Sequence, residues 1–321
     1  MSWLGILSDL MHNTIVFSTA LILAALGGLF SERSGIVNIA LEGLMIVGAF
    51  TSAVVTHFVD QSLGGSPWSP WIGFLVAIVA GLLFSLIHAV ATVSFNSDHV
   101  VSGVALNFLA LGATVYLTKI IFNGAGQTKT LQTVFTKWEI PYLSDIPYIG
   151  KAFFTAYPTS YLAIILVFVS YYVLWKTPFG LRLRSVGEHP KASDTMGINV
   201  YKMKYIGVML SGVFAAMGGA SIALTTTSNF SHTTISGQGF IALAVLIFGK
   251  WNPFGILGAG LFFGIAQALN SLMQVFELTK YVPVDFIFML PYVLTILVLA
   301  GLIGKAIPPK AIGKPYVKGS R

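Results

Sequence analysis

Apolar residues run in long unbroken stretches along this chain, interrupted by short polar punctuation. Strand-type membrane barrels need alternating apolar and polar positions, and here the runs are continuous, so the pattern predicts helices. A membrane helix needs about 20 apolar residues. Nine segments satisfy or approach that length: 13–30, 36–58, 71–95, 100–122, 158–175, 204–227, 236–249, 254–275 and 286–303. The seventh is short enough to read as a half-helix or a re-entrant element. A broken helix would raise the count to ten. The first dozen residues, with Trp3, Leu4, Ile6, Leu7 and Leu10, read as an interfacial helix or as part of the first span, and they lack the basic start and small-residue cleavage pattern of a signal peptide.

Composition agrees with this pattern. The 321 residues are 55% hydrophobic and only 9% charged, with a mean hydropathy of +0.83. Soluble domains carry roughly 25% charged residues, and a soluble chain this apolar would expose large sticky patches. The expected fold is therefore all-α, a polytopic membrane helical bundle of about nine to ten spans. Thirty-three glycines suit close helix packing in lipid. Gly260 and Gly264 form a GxxxG, and Gly218 and Gly219 lie among Ala215, Ala216 and Ala220; both read as internal packing faces. There is no Cys, which excludes disulfides, thiolate metal sites and Cys nucleophiles.

The net charge of +7 is not a nucleic-acid footprint, because the basic residues fall in particular loops. The segment 176–204 holds Lys176, Arg182, Arg184, Lys191, Lys202 and Lys204, and the tail 304–321 holds Lys305, Lys310, Lys314, Lys318 and Arg321. The positive-inside rule places both in the cytoplasm, and the four spans between them keep the two assignments consistent. The membrane domain is then 1–303, with a cytoplasmic loop at 176–204 and a basic tail at 304–321, expected to be largely unstructured because of Pro308, Pro309 and Pro315. Segment 123–157, with Trp138, Tyr142 and Tyr148, falls outside. A nine-span count puts the N-terminus outside too, whereas a tenth span, from a broken helix, brings it inside.

The loop 180–200, GLRLRSVGEHPKASDTMGINV, is the polar exception. Pro190 suits the first position of a helix and Gly197 the residue after its end. A helix this short is not stable alone in water and must lie on a surface. Two readings stand: an ordinary basic loop, or a docking helix, with Ala192 and Met196 on one face, pointed at the bundle or at a partner's groove.

Three stretches carry a resemblance. SVGEHPKASDTMGINV resembles the cytoplasmic coupling loop of ABC importer permeases of the branched-chain amino acid, simple-sugar and nucleoside group. ERSGIVNIALEGLMIVGAF, residues 32–50, is similar to that group's early signature helix. SGQGFIALAVLIFGKWNPFGILGAGLFFGIAQAL, residues 236–269, resembles its late element, except that Lys250 stands where a second Gly is common. The early wording is nearest to the nucleoside (guanosine-type) branch, with simple-sugar uptake as the alternative. The resemblance implies a fold like that of vitamin-importer permeases and a bacterial plasma-membrane location. It also implies partners: an ATP-binding subunit, a second related permease in a heterodimer, and an extracellular solute-binding lipoprotein. Gly187, Glu188, His189, Pro190, Lys191, Ala192, Asp194, Met196 and Gly197 would couple to the ATPase.

The chain itself carries no motor. A phosphate-binding loop needs Gly, four residues, then Gly-Lys-Ser/Thr, and none of Gly150-Lys151, Gly249-Lys250, Gly304-Lys305 or Gly313-Lys314 fits. No cofactor is expected, ATP being bound by the partner, and no metal, since no His or carboxylate pair has ligand spacing. A membrane-embedded enzyme would need a catalytic constellation, and none is evident.

Polar residues inside the spans are the pathway candidates. Asn38 and Glu42, four apart, would share a helix face, with Glu42 about 10 Å into the span if the helix starts near Gly35. Glu42 reads as the only acidic residue deep in a span. A buried ionisable group there implies either a lined cavity or a bond to a neighbouring helix. Asn107 either meets solute or ties two helices. Gln238, Gln267 and Asn270 face a shared pathway in the functional reading and knit helices in the other. His88 and Ser85 read as packing residues. A stand-alone secondary transporter or channel, the rival of another class, would use buried charge pairs, and no basic partner for Glu42 is apparent in the spans.

Overall fold

The computed structural model describes residues 3–275, 289, 293 and 307–318; the expected span at 286–303 lies outside the described residues except at two positions. Helix α1 (Trp3–Arg33) takes in the first dozen residues as part of one helix and is about 46 Å long. It is followed by α2 (Leu41–Leu63), α3 (Ser69–Ala89), which runs on into a π-turn at Val90–Ser94, and α4 (His99–Ile121). The outer segment forms β1 (Trp138–Glu139), α5 (Ile149–Phe153) and β2 (Thr155–Ala156), the strands antiparallel with Trp138 opposite Ala156. Then come α6 (Pro158–Lys176), α7 (Pro178–Glu188), α8 (Pro190–Thr195), α9 (Val200–Ile222) with a π-turn at Ala223–Thr227, α10 (Gln238–Phe248) and α11 (Pro253–Val275). Among the described residues, seven helices are long and apolar enough to cross a membrane, and α10 is too short to do so.

Helix boundaries follow local chemistry. Asp98 caps α4, its Oδ1 accepting from the Val100 and Val101 N–H groups, and Asn199 caps α9 by accepting from Lys202 N–H. Each satisfies donors that a helix start leaves open. Pro158, Pro178 and Pro190 open α6, α7 and α8, where a missing N–H costs nothing.

Helices α1 and α9 form the centre; most of each is buried, whereas α4 presents most of its surface outward. Glycine makes the central contacts possible. A Cβ on Gly219 would stand 1.9 Å from the Met45 carbonyl oxygen, and one on Gly48 2.2 Å from that of Ala216, so α2 and α9 touch through backbone. The GxxxG packs inward as expected, Gly260 on Ile22 and Gly264 on Thr14 and Ser18 of α1.

Two ends can be distinguished. At one, Lys151 forms an ion pair with Asp9 (2.7 Å) and Ser8 donates to the Tyr148 carbonyl, so segment 144–151 lies on the start of α1. At the other, Gly187 of α7 packs against the Arg33 carbonyl at the end of α1. The tail lies there as well. Ala311 N–H donates to the Gly187 carbonyl (2.9 Å) and Gly313 N–H to the Gly35 carbonyl (3.1 Å). Tyr316 is buried with Val186 and Val200. Burial and the hydrogen-bonded Asp194 push its phenol up to about 12, so it stays protonated at neutral pH. The basic loop and the basic tail thus share one end, as the charge pattern requires. Within 309–316, Pro309, Ala311 and Tyr316 are buried and the backbone is bonded to Gly35 and Gly187, although the stretch forms neither helix nor strand.

Candidate functional site

The second span begins later than its hydropathy suggests. Residues 34–40 are not helical. Gly35 (φ +91°) turns the chain after α1, and α2 starts at Leu41. Asn38 and Glu42 therefore do not share a helix face. Asn38 stabilises the irregular stretch: its Nδ2 donates to Ser211 Oγ (2.7 Å), and its Oδ1 accepts from Ala40 N–H (3.0 Å). Asn107 finishes the work, accepting from Gly43 N–H (2.7 Å) and donating to the Ile39 carbonyl (3.1 Å). His88 meets Ser102 Oγ and the Val37 carbonyl. An irregular backbone at membrane depth survives only when protein groups satisfy it, and these side chains do so.

Glu42 sits in the first turn of α2, not about 10 Å into the span as a helix start near Gly35 would place it. Its Oε1 accepts from Gly237 N–H and its Oε2 from Gly239 N–H, both at 2.7 Å. These groups belong to the start of α10, so the carboxylate caps the half-helix and complements its dipole. Gly239 approaches so closely that a Cβ would fall 2.4 Å from the Glu42 Cα. Glu42 is not the only acidic group buried in the helices. Glu32 is 6% exposed at the other end of α10, where Trp251 Nε1 donates to its Oε2. Lys204 is likewise buried.

Around Glu32, one cluster joins four elements. Arg33 donates to the Trp251 carbonyl through Nε (3.2 Å) and Nη2 (2.8 Å). Its guanidinium lies 5.5 Å from the Trp175 ring, and that of Arg184 lies 5.2 Å from the same ring, at cation–π range. The end of α1, the α10–α11 turn, the end of α6 and α7 are thereby tied together. Lys250 and Trp251 both adopt φ +52° in that turn, a conformation cheapest for Gly. This accounts for the Gly usual at position 250 in the resembled element.

Beyond the Glu42 cap lies a cavity of about 160 Å³. Its described lining comprises Val16, Phe17 and Ala20 of α1, Ser221 and Ile222 at the end of α9, Thr225, Thr226 and Thr227 of the π-turn, Thr234, Gln238 and Gln267. None of these carries a charge. The two glutamines pair reciprocally, Gln238 Nε2 to Gln267 Oε1 at 3.4 Å and Gln267 Nε2 to Gln238 Oε1 at 3.1 Å. Of the six pathway candidates, only Gln238 and Gln267 line this cavity; Asn270 is half-buried and does not. The threonines at 225–227 escaped sequence reading, though three hydroxyls in succession at the end of an oily helix are a visible signal. The π-turn that holds them is of a kind frequent at functional sites. Single cysteines at Thr227 and Gln267 should react with small polar thiol reagents at rates near those of exposed controls. Cysteines at Asn38 and Asn107 should label no faster than lipid-facing ones; equal labelling of all four would exclude a discrete cavity.

At the basic end, α8 spans Pro190–Thr195, and Gly197 follows at φ +79°. Ser193 is its buried contact, hydrogen-bonded to Ser185 Oγ and to the His189 carbonyl. Lys191, Ala192, Thr195 and Met196 face outward, Met196 at 81% exposure. Of the two directions open to the Ala192–Met196 face, it points away from the bundle. Gly187 is buried in contact with Arg33 and Gly35, and Glu188 accepts from Lys310 N–H (3.3 Å). Among the described residues no cluster of His, Asp or Glu is arranged to hold a metal ion.

Residues 10–299 match the family described as branched-chain amino acid transport system / permease component. The chain is 58% identical over 98% of its length to the guanosine ABC transporter permease protein NupQ of Bacillus subtilis, of which 98% is covered. It is 47% identical to the nucleoside ABC transporter permease protein NupC of Lactococcus lactis, with 99% of each chain aligned. A putative glucose ABC transporter permease protein of Haloferax volcanii is 35% identical over 83% of this chain and 78% of its own. No solved structure matches this one. A multi-pass helical architecture, near full-length similarity to these permeases and a family match over residues 10–299 together establish that the chain belongs to the family of branched-chain amino acid transport system permease components.

Proposed function

We propose that this chain is a permease subunit of an ATP-driven importer of nucleosides in a bacterial plasma membrane. The observation that carries the reading is the uncharged lining of the cavity between α1, α9, α10 and α11. A zwitterionic amino acid would leave an ammonium and a carboxylate unpaired there, at a cost of several kcal/mol each. A nucleoside offers hydroxyls and base edges, which threonine and glutamine side chains can bond. Gln238 and Gln267 satisfy each other when no solute is present and exchange that pairing for solute contacts. The names of the two bacterial relatives, guanosine and nucleoside permeases, support the same choice over the sugar alternative.

Ligand sites usually enclose about 300–1,000 Å³, and this cavity, at about 160 Å³, is half the lower bound. A second, related permease subunit would complete the pathway, as a heterodimer partner. The bundle in this scheme has nine to ten membrane elements, of which the seven spans and the half-helix α10 lie among the described residues. A vitamin-importer type of arrangement fits that count. An extracellular lipoprotein delivers the solute, and a separate ATPase docks on α8 and the residues flanking it, with Glu188, His189, Lys191, Asp194 and Met196 as its contacts. ATP binding and hydrolysis there shift the permeases between outward- and inward-facing states. Asn38 and Asn107 act in this scheme by holding the irregular stretch before α2, and Glu42 by holding α10.

Uptake of labelled guanosine, glucose and leucine in cells carrying the complete transporter tests the reading. Guanosine entry should depend on this chain, and the other two should not. Chain-dependent leucine uptake would remove the neutral-solute argument, and chain-dependent glucose uptake would move the assignment to sugars.

A further inference from the structure

The tail does not merely rest on α8. Together they form a groove of about 570 Å³, with His189, Lys191 and Ala192 on one side and Lys310, Lys314 and Tyr316 on the other. The tail is held by backbone. Ala311 N–H binds the Gly187 carbonyl, Gly313 N–H binds the Gly35 carbonyl, and Lys310 N–H binds Glu188 Oε2. Tyr316 anchors the far end, buried against Val186 and Val200, with its ring 5.5 Å from that of Tyr201. None of these contacts uses a lysine ammonium. Among the described residues the one salt bridge is Lys151 with Asp9, so Lys191, Lys310 and Lys314 bring three cations to the groove without a carboxylate partner. Two carboxylates adjoin it, Glu188, which accepts from the Lys310 N–H, and Asp194, which is bonded to Tyr316, so the three lysines leave the groove with a net positive charge.

We propose that the C-terminal tail is the second half of the ATPase docking surface: α8 and residues 310–317 together form a cationic groove that receives an acidic segment of the ATP-binding subunit. This rests on the reading that α8 docks that subunit, and adds to it a partner chemistry and a second contributing element. The tail also touches Gly35, at the entry to the irregular stretch that leads to Glu42. A subunit seated in the groove therefore bears on α7, α8 and the α1–α2 turn together.

Lys310→Glu with Lys314→Glu tests this without unfolding the tail, because the bonds that hold the tail come from backbone and Tyr316. The complete transporter is purified in detergent, and ATPase retained per permease is measured across a salt series. Met196→Asp, on the exposed face of α8, is the comparator. The wild type should lose ATPase as salt rises. The double variant should bind about tenfold more weakly at low salt and show a flatter salt dependence; Lys310→Arg with Lys314→Arg should behave as wild type. Normal retention in the lysine variant with loss in Met196→Asp would overturn the tail's role and leave the α8 reading intact. Normal retention in both would overturn both. A defect confined to anionic-lipid vesicles and missing in detergent would assign the lysines to lipid headgroups and overturn the proposal.

Discussion

Glu42→Ala is expected to reduce nucleoside uptake by more than about tenfold while leaving an assembled, membrane-inserted transporter. The substitution removes both acceptors for the Gly237 and Gly239 N–H groups. A buried donor without a partner costs about 1–3 kcal/mol, and a carboxylate near a helix start contributes up to about 2 kcal/mol more in partly buried geometry. That loss falls on α10 alone, an 11-residue helix that cannot span the membrane and has few ways to recover its first turn. Its first residue, Gln238, is half of the amide pair in the cavity. Freeing the helix start should therefore misplace the solute contacts before it unfolds the bundle, whose central α1–α9 packing lies elsewhere. Glu42→Gln keeps one oxygen acceptor and should fall between wild type and Glu42→Ala. Initial uptake rates, normalised to permease in the membrane, check both. Wild-type rates in a stably inserted Glu42→Ala protein would show that α10 is positioned by packing alone.

Hydropathy and spacing revealed the helices because burial in lipid requires long apolar runs, and that requirement is local. The same local reading placed α8 between Pro190 and Gly197, since proline and glycine mark helix ends by their own backbone preferences. It failed where a polar residue's partner is distant in sequence. Asn38 and Glu42 looked like neighbours on a helix because they are four apart, but their partners are Ser211 and Gly237, brought in by α9 and α10. The apolar run from Ile36 hides a non-helical stretch, whose stability depends on Asn107 and Asn38 rather than on its own residues. Glu32 gave no signal of its own, because its partner, the Trp251 indole, lies 219 residues further along the chain. The tail shows the opposite error: three prolines in a polar segment suggest disorder, whereas Gly35, Gly187 and the hollow for Tyr316 give it a seat.

Ala192→Glu combined with Met196→Asp is expected to abolish solute-stimulated ATP hydrolysis and uptake while the permease remains at normal levels in the membrane. Both positions are exposed, Met196 at 81%, so neither change disturbs the bundle. The buried contact of α8 is Ser193, and its bonds to Ser185 and His189 are untouched. A large apolar side chain held out from a six-residue helix gains nothing in water, and its burial in a partner's groove contributes about 1.5–3 kcal/mol. Two carboxylates placed there lose that term and add the cost of burying unpaired charge, which together exceed what a modest interface can lose. They would also face any acidic segment drawn to the neighbouring lysines. Asp194 is a poorer target than Met196, because it is bonded to Tyr316 and its removal would loosen the tail as well. Purified transporter in vesicles, assayed for ATP hydrolysis with and without solute, separates the outcomes. Loss of stimulation with intact assembly of the two permeases locates the transmission of force at α8. Unchanged coupling would reduce this segment to a basic loop that only sets topology.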